Sequence, residues 1–115
     1  MDWSPNVAYC VGLITTDGSL SKDGRHIDFT SKDLDLVECI RRELTLENRI
    51  GTKGRGGSSA RYFRIQFSNV DFYRWLCSIG LSPRKSLTLG ELTIPDDFFA
   101  DFLRGHFDGD GTIIT

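Results

Sequence analysis

Two stretches near opposite ends of the chain carry the same pattern: a glycine, four further residues, Asp-Gly, a hydroxyl residue and an aliphatic residue. The first copy is "GLITTDGSL", residues 12–20, and the second is "GHFDGDGTI", residues 105–113. Each glycine lies inside a run that predicts a helix, and an aspartate follows five residues later. The pattern predicts an internal repeat whose two helices are equivalent.

The glycine of each copy, Gly12 or Gly105, would lie in the middle of its helix, where glycine costs about 0.5–1 kcal/mol relative to alanine. The same cost at the same place in both copies predicts two helices packed closely through their glycines. If the helices run parallel, the carboxylates of Asp17 and Asp110 meet at the helix C-termini. At this place the two negative charges repel each other, and the negative ends of both helix dipoles disfavour them further.

A divalent metal ion would relieve this repulsion, and Mg²⁺ accepts carboxylates together with phosphate oxygens of a substrate. Either motif alone would be an ordinary Asp-Gly turn after a helix. The matched pair favours a functional site. A calcium-binding EF-hand is the rival interpretation of "DGDGTI", but Thr112 replaces the third ligand and the glutamate of position 12 is missing.

The segments between the two copies predict the order α-β-β-α-β-β-α, followed by a helix that matches the first. Ser4-Pro5 predicts the start of the first helix, and Gly18 is expected to end it in the left-handed conformation. Ser31 is expected to cap the second helix, and Pro95 to open the last one. The predicted class is α+β, with an antiparallel, saddle-like sheet.

Residues 1–90 are predicted to form the first complete repeat. Residues 91–115 are predicted to form the second motif helix and the start of a second repeat. The chain ends soon after that motif, which leaves three alternatives: a fragment, a split relative, or a chain that associates with itself. We expect a homodimer, formed by exchange of the last helix, and weak or no cleavage by one chain alone.

The composition is that of a soluble globular protein, with 39% hydrophobic and 26% charged residues. No apolar run approaches the roughly 20 residues of a membrane helix, and the start "MDW" lacks the basic residues of a signal peptide. We therefore expect an intracellular protein (cytoplasmic, nucleoid or organellar) without a membrane partner. Its three cysteines are expected to be reduced core thiols. Zinc is the weaker alternative, because the chain has no CxxC motif.

The net charge of −2 disfavours a strongly cationic nucleic-acid binder, but the charges are unevenly distributed. Residues 49–64 hold five basic and no acidic side chains, whereas residues 91–110 hold six acidic side chains and one basic. One face of the predicted sheet also carries side chains that recognise base edges. An ordinary solvent-facing sheet would be polar too, and the local excess of cations favours DNA. The candidate DNA-binding residues are Lys22, Arg25, His26, Asp28, Thr30, Arg49, Lys53, Arg55, Arg61, Tyr62, Arg64 and Gln66.

The two nine-residue stretches "CVGLITTDG" and "LRGHFDGDG" resemble the signature of the LAGLIDADG homing endonucleases. The first copy departs at its sixth position, where Thr15 replaces an aspartate. The eighth position, which carries the catalytic carboxylate in that family, is Asp17 in one copy and Asp110 in the other. The resemblance extends over the whole chain, including the order of helices and strands.

This resemblance implies a sequence-specific, divalent-metal-dependent endonuclease that cuts both strands of DNA. In the family the two motif helices pack at a pseudo-twofold axis, so Asp17 and Asp110 would bind the metal, Mg²⁺ or in vitro Mn²⁺ or Ca²⁺. The strands would form a saddle in the major groove. Lys85 is the candidate for the basic residue that assists the attacking water; its alternative is a solvated loop lysine.

Two other functions use the same scaffold. A non-catalytic DNA- or RNA-binding module, such as a maturase or a transcriptional regulator, is the main alternative. The pair of aspartates favours the enzyme, since a pure binder has no need of them. An endonuclease embedded in an intein is a further alternative, but no splicing residues support splicing by this chain.

Overall fold

The computed structural model describes residues 2–54, 61–83 and 92–110, except for the side chains of residues 53, 61 and 110. The predicted α+β class and the predicted order of elements are confirmed. The elements are α1 (Pro5–Asp17), β1 (Gly18–Leu20), β2 (His26–Ser31), α2 (Leu34–Glu43), β3 (Gly51–Gly54), β4 (Arg61–Ser68), α3 (Val70–Ser78) and α4 (Phe99–Asp110), with a 3-10 turn at Asp96–Phe98.

The four strands form one antiparallel sheet in the order β1-β2-β4-β3. Strand β2 alternates strictly, burying Ile27, Phe29 and Ser31 while its other side chains stay partly exposed. Strand β4 pairs with both β2 and β3, so the centre of the sheet lies between β2 and β4. One face therefore packs on the helices and the other carries the polar side chains.

Helix α1 is the centre of the core. It is buried on all sides from Ala8 to Ile14, apart from Tyr9, because the sheet, α2 and α4 all pack on it. An aromatic cluster lies near the N-terminal end of α1. The ring centroid of Trp3 lies 4.8 Å from that of Trp75 and 6.2 Å from that of Phe98. In the described part of the chain, no helix is long and apolar enough to span a membrane.

Two predicted helix ends are wrong. Gly18 is extended (φ −92°, ψ 161°) rather than left-handed, because β1 begins at this residue without an intervening turn. The cap of α2 is Asp33, whose carboxylate accepts a hydrogen bond from Asp35 N at 2.9 Å. Ser31 instead ends β2, and its hydroxyl accepts a hydrogen bond from Asp33 N.

The prediction of three core thiols is correct only for Cys10. Cys39 is partly buried and Cys77 is exposed on α3. The predicted boundary between residues 90 and 91, and the strand predicted to begin at residue 112, lie outside the described residues. The division into repeats therefore stays a prediction.

Candidate functional site

Helices α1 and α4 pack side by side through their glycines. A β-carbon on Gly12 would collide with the carbonyl oxygen of Phe102, and one on Gly105 would collide with the carbonyl oxygen of Tyr9. Both obstacles are backbone atoms, which cannot rotate away. The helix backbones therefore lie closer together than any side chain at these two positions would allow.

The contacts of the two glycines are equivalent, which defines a local twofold axis between the helices. Corresponding residues differ by 105 − 12 = 93 positions, so Leu13 corresponds to His106. A β-carbon on Gly12 would lie 2.6 Å from His106 N, and one on Gly105 would lie 3.2 Å from Leu13 N. The sequence repeat is thus also a structural repeat, and the helices run parallel.

The helices stay in contact up to the residue before each motif aspartate. A β-carbon on Gly109 would collide with the hydroxyl of Thr16 and would lie 3.5 Å from Leu13 Cα. Helix α1 ends at Asp17 and α4 ends at Asp110, the next residue of each chain segment. The parallel packing therefore brings the two helix termini that carry the aspartates together at one end of the pair.

Asp17 opens onto a cleft of about 440 Å³ between the helix termini and the start of α2. Lys32 lines the same cleft, and its ammonium lies 5.5 Å from the centroid of the Tyr62 ring, in cation–π range. Asp108 and Gly109 contribute the wall from α4. The cleft thus combines carboxylates with one cation beside the sheet.

Lys32 was not predicted as a site residue. The repeated motif gives no signal for it, because it lies in the turn between β2 and α2. The sequence contains only an indirect signal for Lys32, which is the first residue after the end of β2 at Ser31, next to the polar side chains of that strand. Predicted Lys85 lies outside the described residues.

The sixth motif positions, Thr15 and Asp108, make different contacts across the helix pair. The Thr15 hydroxyl donates to Gly12 O at 2.6 Å and lies 2.9 Å from His106 Nδ1. Asp108 accepts a 2.6 Å hydrogen bond from the Tyr9 hydroxyl. Partial burial, and then this carboxylate, raise the pKa of Tyr9. Thr15 therefore keeps a polar link between the helices while removing one carboxylate from the crowded end.

The donors in this cleft suit a hard cation. They are carboxylate and hydroxyl oxygens, with no thiol or imidazole on the cleft wall, and they belong to Asp17, Thr30, Ser31, Asp33, Tyr62 and Asp108. Within residues 2–54, 61–83 and 92–110, no group of three or more His, Cys, Asp or Glu side chains is arranged for a metal. Asp110, the last residue of α4, directly follows Gly109 of the cleft wall. The residues therefore fit Mg²⁺ or Ca²⁺ held by few protein ligands rather than a closed zinc site.

The polar face of the sheet begins beside this cleft. Its central feature is an ion pair in which Arg64 donates from Nε and Nη2 to Asp28 Oδ2. Thr30 donates to the other carboxylate oxygen, Asp28 Oδ1, at 3.0 Å. All three side chains are partly exposed.

The other predicted DNA-binding residues are spread over the same region. Lys22, Arg25, Arg49 and Gln66 are exposed, and His26 and Tyr62 are partly buried. Lys53 and Arg61 belong to the paired strands β3 and β4, while Arg55 lies outside the described residues. At the β1–β2 turn, Asp23 accepts hydrogen bonds from the backbone N–H groups of Arg25 and His26, both at 3.0 Å. These bonds and the His26 ring hold the pKa of the Asp23 carboxyl well below its usual range.

No protein-family model matches the sequence, and no curated protein is significantly similar to it. Among solved structures, mesophilic variants of the homing endonuclease I-DmoI are similar at 18% identity and a TM-score of 0.47, over 91% of this chain and 61% of theirs. A single-residue variant of I-DmoI with its target DNA and manganese is similar at 18% identity and a TM-score of 0.46, over 91% of this chain and 59% of that one. I-DmoI in complex with DNA and calcium is similar at 19% identity and a TM-score of 0.45, over 90% of this chain and 56% of that one.

The chain thus spans about three fifths of the length of these solved chains. All three are structures of a homing endonuclease, the class that the sequence resembles. At this identity and these TM-scores, the functional proposal depends on the site itself.

Proposed function

We propose that the protein is a site-specific DNA endonuclease, or one part of such an enzyme, that needs a divalent metal to break both strands. The observation that carries the proposal is the glycine-packed helix pair, which brings the termini bearing Asp17 and Asp110 together beside a polar sheet face. A purely structural helix pair has no use for two acids at this electrostatically unfavourable place.

In this proposal Asp17 and Asp110 hold the metal, which when bound activates water and offsets charge on the leaving oxygen. Lys32 contributes a cation in the same cleft, where it would stabilise negative charge on the scissile phosphate. The Lys32 ammonium keeps its orientation through Tyr62. Lys85 stays a prediction for the same kind of role.

The sheet face supplies the contact with duplex DNA. Exposed cations on the strands and the β1–β2 turn would contact phosphates, and polar side chains between them would read bases in the major groove. We therefore propose that the protein acts inside the cell, where the DNA is, and that its affinity depends strongly on salt.

Replacing Asp17 by asparagine tests the enzymatic part of the proposal. With Mg²⁺, we expect cleavage of a bound duplex to fall by about 100-fold or more, the scale of losing one electrostatic stabiliser. Binding in Ca²⁺ should persist. Asp35→Asn, an exposed aspartate on α2, is the matched control.

Two results would contradict the enzyme. Unchanged cleavage by Asp17→Asn would remove Asp17 from the reaction. Binding of DNA or RNA by the assembled homodimer without any metal-dependent cutting would favour the alternative, a non-catalytic binding module.

We further propose that a second α/β half covers the outer face of α4, supplied by a second copy in a homodimer. Phe99 and Phe107 are 40% and 51% exposed on α4. Across the repeat, Phe107 corresponds to Ile14 (107 − 93 = 14), which is only 1% exposed under the core. Exchange of the last helix between two copies is one way to join them, and the outer faces of the two α4 helices would then lie at the contact between the copies.

Sedimentation velocity tests this association. We expect dimers whose fraction rises with concentration and falls on Phe107→Ser. A monomer at all accessible concentrations would contradict the homodimer without affecting the proposed cleavage chemistry.

A further inference from the structure

The inference concerns how the sheet recognises one base, and it rests on the proposed DNA-binding function. Asp28 and Arg64 were both predicted to bind DNA, and by residue type an aspartate can accept a hydrogen bond from cytosine and an arginine can donate to guanine. In the structure the two side chains form one unit, in which Arg64 Nε and Nη2 both donate to Asp28 Oδ2. Asp28 Oδ1 accepts the hydroxyl of Thr30. Both oxygens of the Asp28 carboxylate therefore have partners within the protein.

We propose that Arg64 reads a guanine and that Asp28 is a positioning residue that holds its guanidinium, rather than a reader of its own base. A guanidinium has five N–H donors in a planar fork. Two of them face Asp28, which leaves three, on Nη1 and Nη2, directed away from the carboxylate. Adjacent N–H groups at this end match the O6 and N7 acceptors of guanine in the major groove.

The surroundings of Arg64 leave room for a base edge. Arg64 stands between Thr30 on β2 and Gly51 on β3 in the strand register. Gly51 has no side chain, and a β-carbon placed there would meet nothing nearer than Arg64 O at 3.9 Å. An open hollow of about 290 Å³ lies here, lined by Asn48, Arg49, Gly51, Thr52, Arg64 and Gln66. Arg64 is therefore held on its Asp28 side and accessible on its Gly51 side.

The restraint by Asp28 has a consequence for specificity. A free arginine can reach several bases or phosphates, and it loses rotamer freedom when it binds any one of them. An arginine oriented in advance by a carboxylate loses less and favours one geometry. The side-chain exposures of 38% for Arg64 and 20% for Asp28 put this pair at the protein surface, in contact with solvent. The pair is thus better suited to orienting the arginine than to stabilising the fold.

Gln66 provides a comparison within the same face of the sheet, where it lies opposite Asp28 in the strand register. It lies on the same face as Arg64, two residues further along β4, which is a separation of roughly 6.6–6.8 Å. Successive base pairs rise by about 3.4 Å, so Gln66 would face a base pair about two steps from the Arg64 guanine. Loss of Gln66 should therefore alter a different position of the site.

The test is selection of bound sequences from a random duplex pool in Ca²⁺, with the full chain and its Asp28→Asn, Arg64→Ala, Gln66→Ala and Asp35→Asn variants. We expect the unmodified chain to prefer guanine at one position by about 5- to 150-fold, the range of a bidentate contact. Arg64→Ala should erase this preference, and Asp28→Asn should weaken it at the same position. Asp35→Asn, which changes an exposed aspartate on α2 outside this sheet face, is the control and should leave it intact.

Two further measurements separate positioning from a structural effect. Replacing that guanine by 7-deazaguanine removes the N7 acceptor, and it should weaken binding by the unmodified chain but not by Arg64→Ala. Thermal unfolding reports whether each variant is folded. If Asp28→Asn unfolds, Asp28→Ala combined with Thr30→Val replaces it, and the same loss of guanine preference is expected.

Specific outcomes overturn the inference. If Asp28→Asn and Arg64→Ala alter different base pairs, Asp28 reads its own base. If folded Asp28→Asn keeps the full preference, Asp28 does not position Arg64. If the unmodified chain selects a sequence and Arg64→Ala changes no position, the inference fails while the proposed function stands. If the unmodified chain enriches no sequence at all, the proposed function fails and the inference falls with it.

Discussion

Replacing Gly105 by alanine should destabilise the protein, although the same change in an isolated helix is stabilising. In a helix interior, alanine is more favourable than glycine by about 0.5–1 kcal/mol of free energy. Here the new β-carbon would lie 2.9 Å from Tyr9 C, as well as colliding with the attached oxygen. Carbon atoms prefer a separation of roughly 3.5–4.0 Å, so this contact alone moves the helices apart by roughly 0.6–1.1 Å, and the closer carbonyl oxygen requires more.

The size of this displacement determines how much free energy of unfolding the Gly105→Ala variant loses. A gap of roughly 0.5–1 Å removes a quarter to a half of the dispersion attraction across a contact, and overpacking of this kind costs about 1–3 kcal/mol or somewhat more. After a helix gain of about 0.5 kcal/mol is subtracted, we expect a net loss of about 0.5–2.5 kcal/mol in the free energy of unfolding. That is a large share of a total of roughly 5–15 kcal/mol.

Urea denaturation followed by circular dichroism measures this loss as a lower midpoint with an unchanged slope. Gly51→Ala is the control, because its β-carbon would meet only Arg64 O, at 3.9 Å. Gly109→Ala should fall between the two, since its obstacle is the rotatable hydroxyl of Thr16. Adding Gly12→Ala to Gly105→Ala should cost less than the sum of the two, because the helices are already apart. A rise in stability for Gly105→Ala would refute the close packing.

Two further predictions follow from the described side chains. Tyr9→Phe should lower stability at neutral pH by about 1 kcal/mol through loss of the bond to Asp108. Because folding raises the pKa of Tyr9 above its ordinary value near 10, the contribution of its neutral hydroxyl is present below pH 10 and lost above it. Tyr9→Phe should therefore flatten the alkaline fall in stability, measured by urea titrations at pH 9–11; an identical fall in the variant would contradict this. Alkylation by iodoacetamide should modify exposed Cys77 rapidly and buried Cys10 only on unfolding, since burial also raises the pKa of the Cys10 thiol. Mass spectrometry of partly labelled protein checks the order, and rapid labelling of Cys10 in native buffer would show that α1 is not packed as described.

The helix pair could be predicted from the sequence because its information is local. In both motif copies a glycine precedes an aspartate by five residues. This repeated spacing implies both the close contact between the two helices and the meeting of their termini. The class of the fold follows from periodicity in the same way. The errors at Gly18 and Ser31 have a local cause too: in both cases a strand occupies residues that the sequence pattern assigned to a helix cap.

The site could be predicted only in part, because several of its contacts join distant segments. Lys32 reaches the cleft through the packing of α2 beside the helix termini, which no short motif encodes. The pairing of Asp28 with Arg64 depends on the register between β2 and β4, 36 residues apart. The bond from Tyr9 to Asp108 spans 99 residues. Residue type indicated the polar face, but only the strand register determined which side chains hold one another.

The most direct test of the central claim is selection from a random duplex pool with Ca²⁺, followed by Mg²⁺, with sequencing of the bound and the cleaved DNA. The proposed function predicts enrichment of one long motif in Ca²⁺ and, at protein concentrations where the homodimer forms, cuts on both strands within that motif in Mg²⁺, with the cuts absent for Asp17→Asn. A chain that enriches no motif, or whose cutting persists without Asp17, would contradict the assignment of the paired helix termini as a metal-dependent DNA cleavage site.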